Sequence, residues 1–339
     1  MKVQFVLAAA VLLSTALVAA AFAGNSDRIG TAGASELLIP NSPRGLAIGD
    51  GAVADWGGLE MLYWNPAAIS GVRGVEALFS NLTYIADMKK NYVGVAAQTS
   101  FGTIAVTADV LSIGDIIETT ELAPEGTGRV FSPNFSILGL SYGRYMTDQV
   151  TIGLTGKLIS ESVLQAHASG VAFDIGIQYR PGPKGVSFGL ALKNIGPTMR
   201  FSGADFESFH RTSDNPQAGD RSLSSLSAPF ELPSYIEFGG RYEYPLTDIG
   251  MVAGYGSFQS NNFNDDEVNL GAEFAYHDQF FVRGGGTLSG NDDYLYGPAF
   301  GLGVALPLGG QSKLNFDYAL RLVNDFFDDN HMVGVKFNF

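Results

Sequence analysis

The ten residues from Lys313 to Leu322, K-L-N-F-D-Y-A-L-R-L, alternate between large apolar side chains and polar or small ones. Leucine, phenylalanine and tyrosine occupy one set of positions, and lysine, asparagine, aspartate, alanine and arginine occupy the other. A period of two places the two sets on opposite faces of a β-strand. This stretch therefore predicts a strand with one apolar face and one polar face.

The same period recurs along most of the chain after Val72, most clearly over residues 171–180 and 268–276. Alternation alone is typical both of a soluble β-sandwich and of a membrane barrel, since strands in both have one apolar and one polar face. We predict fourteen strands, at residues 73–84, 90–99, 102–113, 133–146, 149–161, 168–180, 184–195, 232–244, 248–259, 266–277, 279–289, 294–306, 312–322 and 330–339.

The lengths of the connections separate the two architectures. The links after the even-numbered strands are tight, as at 146–149 and 307–310, whereas the links after the odd-numbered strands tend to be longer and more acidic, as at 114–132 and 196–231. Short turns at one rim, long loops at the other and an even strand count are typical of bacterial outer-membrane barrels. The sequence thus predicts an all-β protein, a closed antiparallel transmembrane β-barrel over residues 73–339, with its short turns in the periplasm.

The last strand carries a second signal for this location. An even strand count returns the C-terminus to the periplasmic rim, where apolar residues alternate up to a final phenylalanine: Val333, Val335, Phe337 and Phe339. A strand of this kind resembles the recognition signal of the outer-membrane barrel assembly machinery. We therefore expect that machinery and the lipid of the outer membrane among the partners.

The first 23 residues read as a cleaved signal peptide. Lys2 precedes an apolar run, and Ala21-Phe22-Ala23 has the small-x-small form of a cleavage site. The alternative, an uncleaved anchor helix, is disfavoured because nothing after it resembles a stop-transfer segment. The expected location is the outer membrane of a diderm bacterium.

Composition excludes several other classes of protein. The 339 residues include 43 Gly and no Cys, and 34 acidic against 20 basic residues give a net charge of −14. Without cysteine there is no disulfide framework and no cysteine-ligated metal site. The acidic balance argues against a nucleic-acid partner.

Between the signal peptide and the first strand, residues 24–72 do not alternate well. They contain S-P-R-G-L-A-I-G at 42–49 and Y-W-N-P-A at 63–67. With these motifs the sequence resembles the PorV/PorQ family of outer-membrane proteins and, more distantly, the FadL-like long-chain fatty acid transporters. The resemblance implies that residues 24–72 form an N-terminal hatch inside a fourteen-stranded barrel. The matching hatch positions are Arg44, Gly45, Gly49, Tyr63, Trp64, Asn65, Pro66 and Ala67.

Two points qualify these hatch motifs. Residues 55–60, D-W-G-G-L-E, depart from the more acidic, Ser- or Ala-rich link of the relatives, which leaves the local conformation open. For Asn65-Pro66 we favour a turn or a helix cap over direct contact with a ligand, because Pro presets φ and Asn readily bonds its own backbone.

No motif indicates catalysis or a cofactor. The G-x-S-x-G pattern at 139–143 lies within a predicted strand, although a nucleophile elbow needs a helix after it. The four histidines are scattered, so neither a metal site nor a Ser/His pair is indicated. For the acidic loop clusters, solvation is favoured over calcium binding because none has EF-hand spacing. We predict a protein that is not an enzyme and holds no metal.

Charged residues also fall on the polar face of the predicted strands, which a closed barrel would gather in its interior. Arg144 fits poorly, since turning it inward also turns Leu138 and Leu140 inward; a bulge or an apolar patch inside the barrel would resolve this. For the set as a whole we favour mutual pairing, or pairing with the hatch, over substrate recognition. The predicted interior charges are Lys157, Asp174, Glu237, Arg241, Glu273, Arg283, Asp317, Arg321 and Lys336.

The resemblance implies two different functions. A PorV-type protein is a shuttle in type IX secretion, which accepts secreted cargo proteins and passes them to surface-attachment components; this is the function we favour. The alternative is FadL-like transport, in which a hydrophobic small molecule such as a long-chain fatty acid enters from outside and leaves laterally through a gap in the wall.

The long link at 196–231 is relevant to both functions because its apolar content is unusual for a solvated loop. It either caps the barrel or contacts the cargo or substrate. The candidate contact residues are Phe201, Phe206, Phe209, Leu226 and Phe230.

Overall fold

The computed structural model describes residues 28–182, 185–210, 221–246, 249–291, 294–310, 312–324 and 327–339. The predicted signal peptide lies outside these ranges. Within them, fourteen long strands follow one another along the chain: β1 Val75–Thr83, β2 Lys89–Thr99, β3 Gly102–Ser112, β4 Asn134–Tyr145, β5 Val150–Val163, β6 Ala166–Tyr179, β7 Val186–Ile195, β8 Tyr235–Leu246, β9 Gly250–Asn261, β10 Glu267–Tyr276, β11 Phe280–Ser289, β12 Tyr296–Gly309, β13 Ser312–Val323 and β14 Asn330–Asn338.

These strands form one closed antiparallel sheet. Each strand pairs with the next along the chain, and β14 returns to pair with β1, with Ala77 opposite Phe337. Closure pairs every strand on both sides, which is the condition for a sheet to cross a hydrocarbon layer where water cannot satisfy the backbone. The predicted fourteen-stranded barrel is confirmed, and the largest boundary differences are three residues, at the start of β8 and the end of β12.

The two faces of the wall differ as the alternation predicts. In β13, Phe316 and Tyr318 are 45% and 39% exposed, whereas Asp317 and Arg321 are 7% and 6% exposed. Because apolar side chains face outward and charges face inward, the wall has the polarity of a barrel in lipid.

Arg144 is a charged residue that faces outward. Its placement shows that both explanations offered above, a bulge and an apolar patch inside the barrel, are wrong. It lies exposed on the outer face, one residue before the end of β4, together with Leu138 and Leu140. The ladder from β4 to its neighbours is continuous, without a bulge. A long side chain near a strand end can place its charge at the headgroup level. The G-x-S-x-G stretch lies in the same strand, and the Ser141 hydroxyl bonds the Thr155 hydroxyl at 2.8 Å.

Turns and loops sort to opposite rims, with one departure from prediction. At the short-turn rim, β10 and β11 are joined through His277 and Asp278, both in the left-handed region with φ of 51° and 53°. Two such residues make the tight hairpin turn that suits the twist of the strands. At the other rim, β5 and β6 run further than predicted, so only Leu164 and Gln165 join them.

Residues 34–72 pack against the inner face of the barrel. They contain one short α-helix, Pro43–Ala47, and three 3₁₀-helices, Ser35–Leu38, Gly58–Met61 and Pro66–Gly71. We call residues 28–72 the N-terminal segment. None of the helices among the described residues has the length and apolarity needed to cross a membrane.

Glycines of the wall allow this close packing. A Cβ added to Gly153 of β5 would overlap the backbone of Pro66, and one added to Gly285 of β11 would overlap the backbone of Ile48. The segment also contributes to apolar clusters with the wall, for example Leu59 and Ile69 with Tyr92. The glycine content of the strands is therefore explained in part by close approach of the backbone of the N-terminal segment.

Candidate functional site

Arg44 joins the N-terminal segment to the barrel wall. Its guanidinium lies 2.8 Å from the Asp55 carboxylate of the segment and 3.0 Å from the Glu273 carboxylate of β10. Burial alone would raise the pKa of Asp55, but the Arg44 and Arg241 guanidinium groups hold it below its usual value. Asp55 is therefore charged beside Arg44, as a buried ion pair requires.

The network continues along the wall. Arg283 of β11 lies 2.6 Å from Glu273 and also pairs with Asp317 of β13. Lys336 of β14 lies 2.5 Å from Glu60, which returns the network to the N-terminal segment. Charges from four strands thus hold one side of the segment in place.

A second network lies on the opposite side of the interior. The Asp174 carboxylate of β6 forms ion pairs with the ammonium groups of Lys157 at 2.7 Å and Lys193 at 2.8 Å. The Lys193 ammonium also donates a hydrogen bond to the Tyr63 carbonyl. Lys90 of β2 pairs with Asp109 of β3 at 3.0 Å and donates to the Ile39 carbonyl. These pairs again connect the wall to the N-terminal segment.

The structure places all nine predicted interior charges on the inward face. Eight of them are 7% exposed or less, and the Lys157 side chain is 12% exposed. Sequence reasoning missed Lys90, Asp109 and Lys193, although each falls on the inward face of its strand by the same alternation. It also missed Asp50, Asp55 and Glu60, because the N-terminal segment has no period from which a facing direction can be derived.

The predicted hatch motif lies at the centre of the segment. Gly45 leaves room for the Trp64 ring, which is 1% exposed. Asn65 caps the 3₁₀-helix Pro66–Gly71: its Oδ1 accepts from the Ala67 N–H at 3.0 Å, and its Nδ2 donates to the Val53 carbonyl at 2.8 Å. This geometry is the helix cap favoured above. Gly49 has φ of 69°, and its Cα lies against β11.

A cavity of about 380 Å³ lies between the N-terminal segment and the strand ends at the long-loop rim. Loop residues such as Tyr84, Asp265 and Tyr294 contribute to its wall. Five tyrosines and one tryptophan, among the described residues, line it: Tyr63, Tyr84, Tyr235, Tyr294, Tyr296 and Trp64. It is the kind of concave, aromatic site in which small ligands bind.

The aromatic side chains of this cavity form two contacting groups. Tyr296 lies 6.5 Å from Tyr84 and 5.7 Å from Tyr294 between ring centroids, and the Tyr84 and Tyr296 hydroxyls share a hydrogen bond. Across the cavity, Tyr63 and Trp64 meet edge to face at 4.9 Å. These contacts hold the rings in fixed positions before any ligand arrives.

Charges line the same cavity. Arg321 pairs with Asp50, and its guanidinium carbon lies 4.8 Å from the centroid of the Tyr296 ring. Asp265 and Glu267 also line the cavity and are half-buried. The Glu267 carboxylate has neither an ion pair nor a hydrogen bond within the part of the chain that the structure describes.

A second recess, of about 440 Å³, opens in the barrel wall at the ends of β7, β8 and β9. Leu192, Ile195 and Ile236 line it from the outer face, where they are 37% to 41% exposed. Tyr235 and Asn261 line it from inside and also line the cavity. The recess therefore adjoins the cavity across these two side chains.

The pairing between β6 and β7 is irregular next to this recess, at Asn194 and Ile195, which also line it. Asn194 has φ of 57°, the register shifts between Phe173 and Ile175, and the pairing ends at Phe173 opposite Ile195. Beyond this point β6 continues to Ala166 and is next bonded at Ser202–Gly203. A bulge of this kind ends the ladder locally and leaves part of the wall without a paired neighbour.

Of the five candidate contact residues in the long link, some pack against the barrel and one is exposed to solvent. Phe201 and Phe230 are half-buried, lie 5.7 Å apart, and pack against a cluster that includes Leu37 of the N-terminal segment. Phe206 is half-buried, and Leu226 is 81% exposed. The side chain of Phe209 lies outside the described part of the structure. Phe201 and Phe230 thus pack against the barrel interior, whereas the Leu226 side chain is exposed.

The four residues of the predicted assembly signal all face outward from β14. Val333 is 49% and Phe339 is 56% exposed, and the rings of Phe337 and Phe339 meet edge to face at 4.1 Å. No cluster of three or more metal-ligating side chains occurs among the residues that the structure describes.

Comparison with solved structures identifies barrels of the same fold. CymD, a monoaromatic hydrocarbon channel, has a TM-score of 0.55 and 14% identity, covering 89% of this chain and 98% of its own. The toluene transporters TodX of Pseudomonas putida and TbuX of Ralstonia pickettii each have a TM-score of 0.54 and 12% identity, over 88% of this chain and 97% and 98% of theirs.

No family model and no curated protein matches the chain. The resemblance to PorV/PorQ has no support in these comparisons, and at such low identities the structural likeness concerns the fold alone. These neighbours are described as a channel and as transporters. The chain therefore has the closed fourteen-stranded fold of the FadL-like outer-membrane barrels.

Proposed function

We propose that this protein takes up small hydrophobic molecules across the outer membrane of a diderm bacterium. The observation that carries the proposal is the contact between the aromatic cavity and the wall recess through Tyr235 and Asn261. The names of the structural neighbours, a hydrocarbon channel and toluene transporters, agree with a ligand of this class. The sequence-based preference for a type IX shuttle is therefore replaced by its alternative.

The N-terminal segment determines the route. A straight path along the barrel axis would displace residues held by Arg44, Lys193 and Lys336, whose ion pairs are buried. Breaking such pairs leaves uncompensated buried charges, which costs several kcal/mol for each pair. In our proposal the segment acts as the hatch, and the ligand passes from the cavity past Tyr235 into the recess and then into the hydrocarbon layer.

Uptake measured in whole cells tests this function. A strain without its own hydrocarbon channels would express the protein, and accumulation of radiolabelled toluene would be followed. The variant Gln259→Trp places a large ring in the cavity from the inner face of β9.

The matched control for this variant, Phe258→Trp, puts the same ring on the outer face. We expect uptake to be faster with the wild type and the control than without the protein, and to be lost with Gln259→Trp. Equal uptake with and without the wild-type protein would contradict the proposal.

The cargo shuttle is kept as the second candidate because of one observation. Leu223 and Leu226 in the long link are 50% and 81% exposed, which suits contact with another protein. Deleting residues 203–228 removes both and retains Phe201 and Phe230. If the barrel still assembles, loss of cargo export with normal toluene uptake would favour the shuttle. Loss of uptake would favour transport, and a deletion that changes neither would remove the loop from both functions.

A further inference from the structure

The aromatic cavity carries an excess of negative charge. Among the described residues that line it, Asp50, Asp265 and Glu267 are acidic, and Arg321 is the one basic residue. Arg321 is already paired with Asp50. Among these described lining residues there is therefore no unpaired cation for an anionic ligand, and the carboxylates of Asp265 and Glu267 are left over.

Of these two carboxylates, Glu267 is the one placed to attract a cationic ligand. It begins β10 on the inner rim of the cavity, is half-buried, and forms no ion pair or hydrogen bond in the described part of the chain. Arg321, which is paired with Asp50, attracts it only from beyond ion-pair distance. A carboxylate removed from water is stabilised by a positive charge nearby. A cationic ligand would supply that charge, whereas a ligand with a carboxylate head would add a repulsive one.

The rings of the cavity suit the same ligand. Arg321 shows that the aromatic wall already accepts a cation, because its guanidinium lies 4.8 Å from the Tyr296 centroid. Tyr294 and Tyr84 extend this wall, and Tyr63 and Trp64 supply a second one. Rings around a cavity attract ammonium groups through their negative faces. The half-buried Asp265 in the loop of this rim would also raise the local concentration of cations.

We propose that the cavity binds hydrophobic molecules with a cationic ammonium head, held between Glu267 and the tyrosine rings, and that it rejects long-chain carboxylates. This proposal rests on the proposed uptake function and specifies the ligand class of the same site. The aromatic or aliphatic body of the ligand would lie toward Leu38 and Ile39 of the N-terminal segment, which line the cavity.

Three ligands of equal size test the charge requirement. They are a phenylpropyl trimethylammonium ion, its neutral isostere with a tert-butyl group in place of the ammonium, and a phenylalkyl carboxylate of the same length. The full chain in lipid nanodiscs would be titrated with each by calorimetry. We expect the ammonium ion to bind roughly tenfold more tightly than the isostere and the carboxylate to bind least.

Two charge-neutralising variants identify the responsible group. Glu267→Gln should reduce the preference for the ammonium ion to about twofold or less, because the attraction of the carboxylate is lost. Glu121→Gln removes the same charge from an exposed loop position and should leave the preference unchanged.

The outcomes separate this proposal from the proposed uptake function. If the neutral isostere or the carboxylate binds as well as the ammonium ion, the charge requirement is overturned and hydrophobic uptake stands. A preference that persists in Glu267→Gln also overturns the role of this carboxylate. If none of the three ligands binds the wild-type protein, the ammonium proposal fails, and the toluene uptake measurement decides separately on the uptake function.

Discussion

Arg44 shows how strongly a single buried side chain can fix the N-terminal segment. It contacts Asp55 within the segment and Glu273 in the wall, and its side chain is only 13% exposed. Replacing it with the similarly long, uncharged Met would leave both carboxylates without their partner. We expect Arg44→Met to lower the free energy of unfolding by about 3–5 kcal/mol, measured by urea titration in detergent. A matched exposed variant, Arg129→Met in the long loop after β3, should change it by less than about 1 kcal/mol.

Asp55 gives this network a pH dependence. Its pKa is lower in the folded chain than in the unfolded chain, so its stabilising contribution is present above the unfolded value of 3.8. The contribution is lost as the pH falls through the lower folded pKa. We expect acid unfolding in that range to be less steep for Asp55→Asn than for the wild type. Identical slopes would contradict the assigned ion pair.

Glu36 has the opposite dependence. Burial, followed by repulsion from the Glu161 carboxylate, raises the pKa of Glu36 from 4.5 to about 8. The folded chain keeps a proton that the unfolded chain releases, so the free energy of unfolding should fall as the pH rises from 4.5 to about 8.

The variant Glu36→Gln should remove that fall. Unfolding midpoints in urea at about pH 5 and about pH 9 measure the effect, with Glu121→Gln as an exposed control. The idea is wrong if the difference between the two midpoints is the same in Glu36→Gln and in the wild type.

The inward direction of a charged residue is predictable when the residue lies on a regular strand. Asp317 and Arg321 follow from alternation alone, and Lys193 was open to the same reasoning. Their partners Asp50 and Glu60 were not, because the N-terminal segment changes direction through short 3₁₀-helices. Local sequence carries no period there, and only packing inside the closed wall decides which side chain meets which.

Among the elements, the 3₁₀-helix Pro66–Gly71 depends on its cap. Asn65 satisfies the Ala67 N–H and donates to the Val53 and Ile177 carbonyls. Asn65→Ala should cost about 1–3 kcal/mol, since buried backbone groups lose their partners. Urea unfolding in detergent measures this loss, and a change below about 0.5 kcal/mol would show that water replaces the side chain.

The terminal strand β14 allows a prediction about assembly. Phe339 follows β14, its backbone bonds Val75 of β1, and its side chain faces outward, so that side chain contributes little to the interior. We expect Phe339→Ala to lower the amount of protein in the outer membrane severalfold, and to leave the unfolding midpoint of protein refolded in detergent nearly unchanged. Normal levels in the membrane fraction would contradict the proposed assembly signal.

Element boundaries were least predictable where strands continue into the loops. The predicted link between β5 and β6 contained His167, which the structure places inside β6 opposite Ser162. Small and polar residues at strand ends look like a loop when read locally. The hydrogen bonds of an already aligned hairpin nevertheless extend the ladder through them.

At the scale of the whole molecule, alternation and sorted loops were enough to predict a closed wall of fourteen strands. The cavity and the recess were not predictable, because their linings come from residues far apart in the chain, such as Asp50, Tyr235 and Arg321. The β6–β7 irregularity also has no clear local signal beyond Asn194, a residue type that tolerates positive φ. The proposed function therefore depends on geometry that appears only after the barrel has closed.

In the proposed function, the ligand leaves the cavity through the wall recess, and a reversible block of that recess tests this route. The chain has no cysteine, so Ser234→Cys places one thiol in the lining of the recess. Ser136→Cys on the outer face of β4 serves as the matched control. A bulky methanethiosulfonate reagent would be attached to each, and toluene uptake measured before and after removal with a reducing agent. We predict that labelling stops uptake in Ser234→Cys, that reduction restores it, and that Ser136→Cys is unaffected. Undiminished uptake through fully labelled Ser234→Cys would contradict the lateral route.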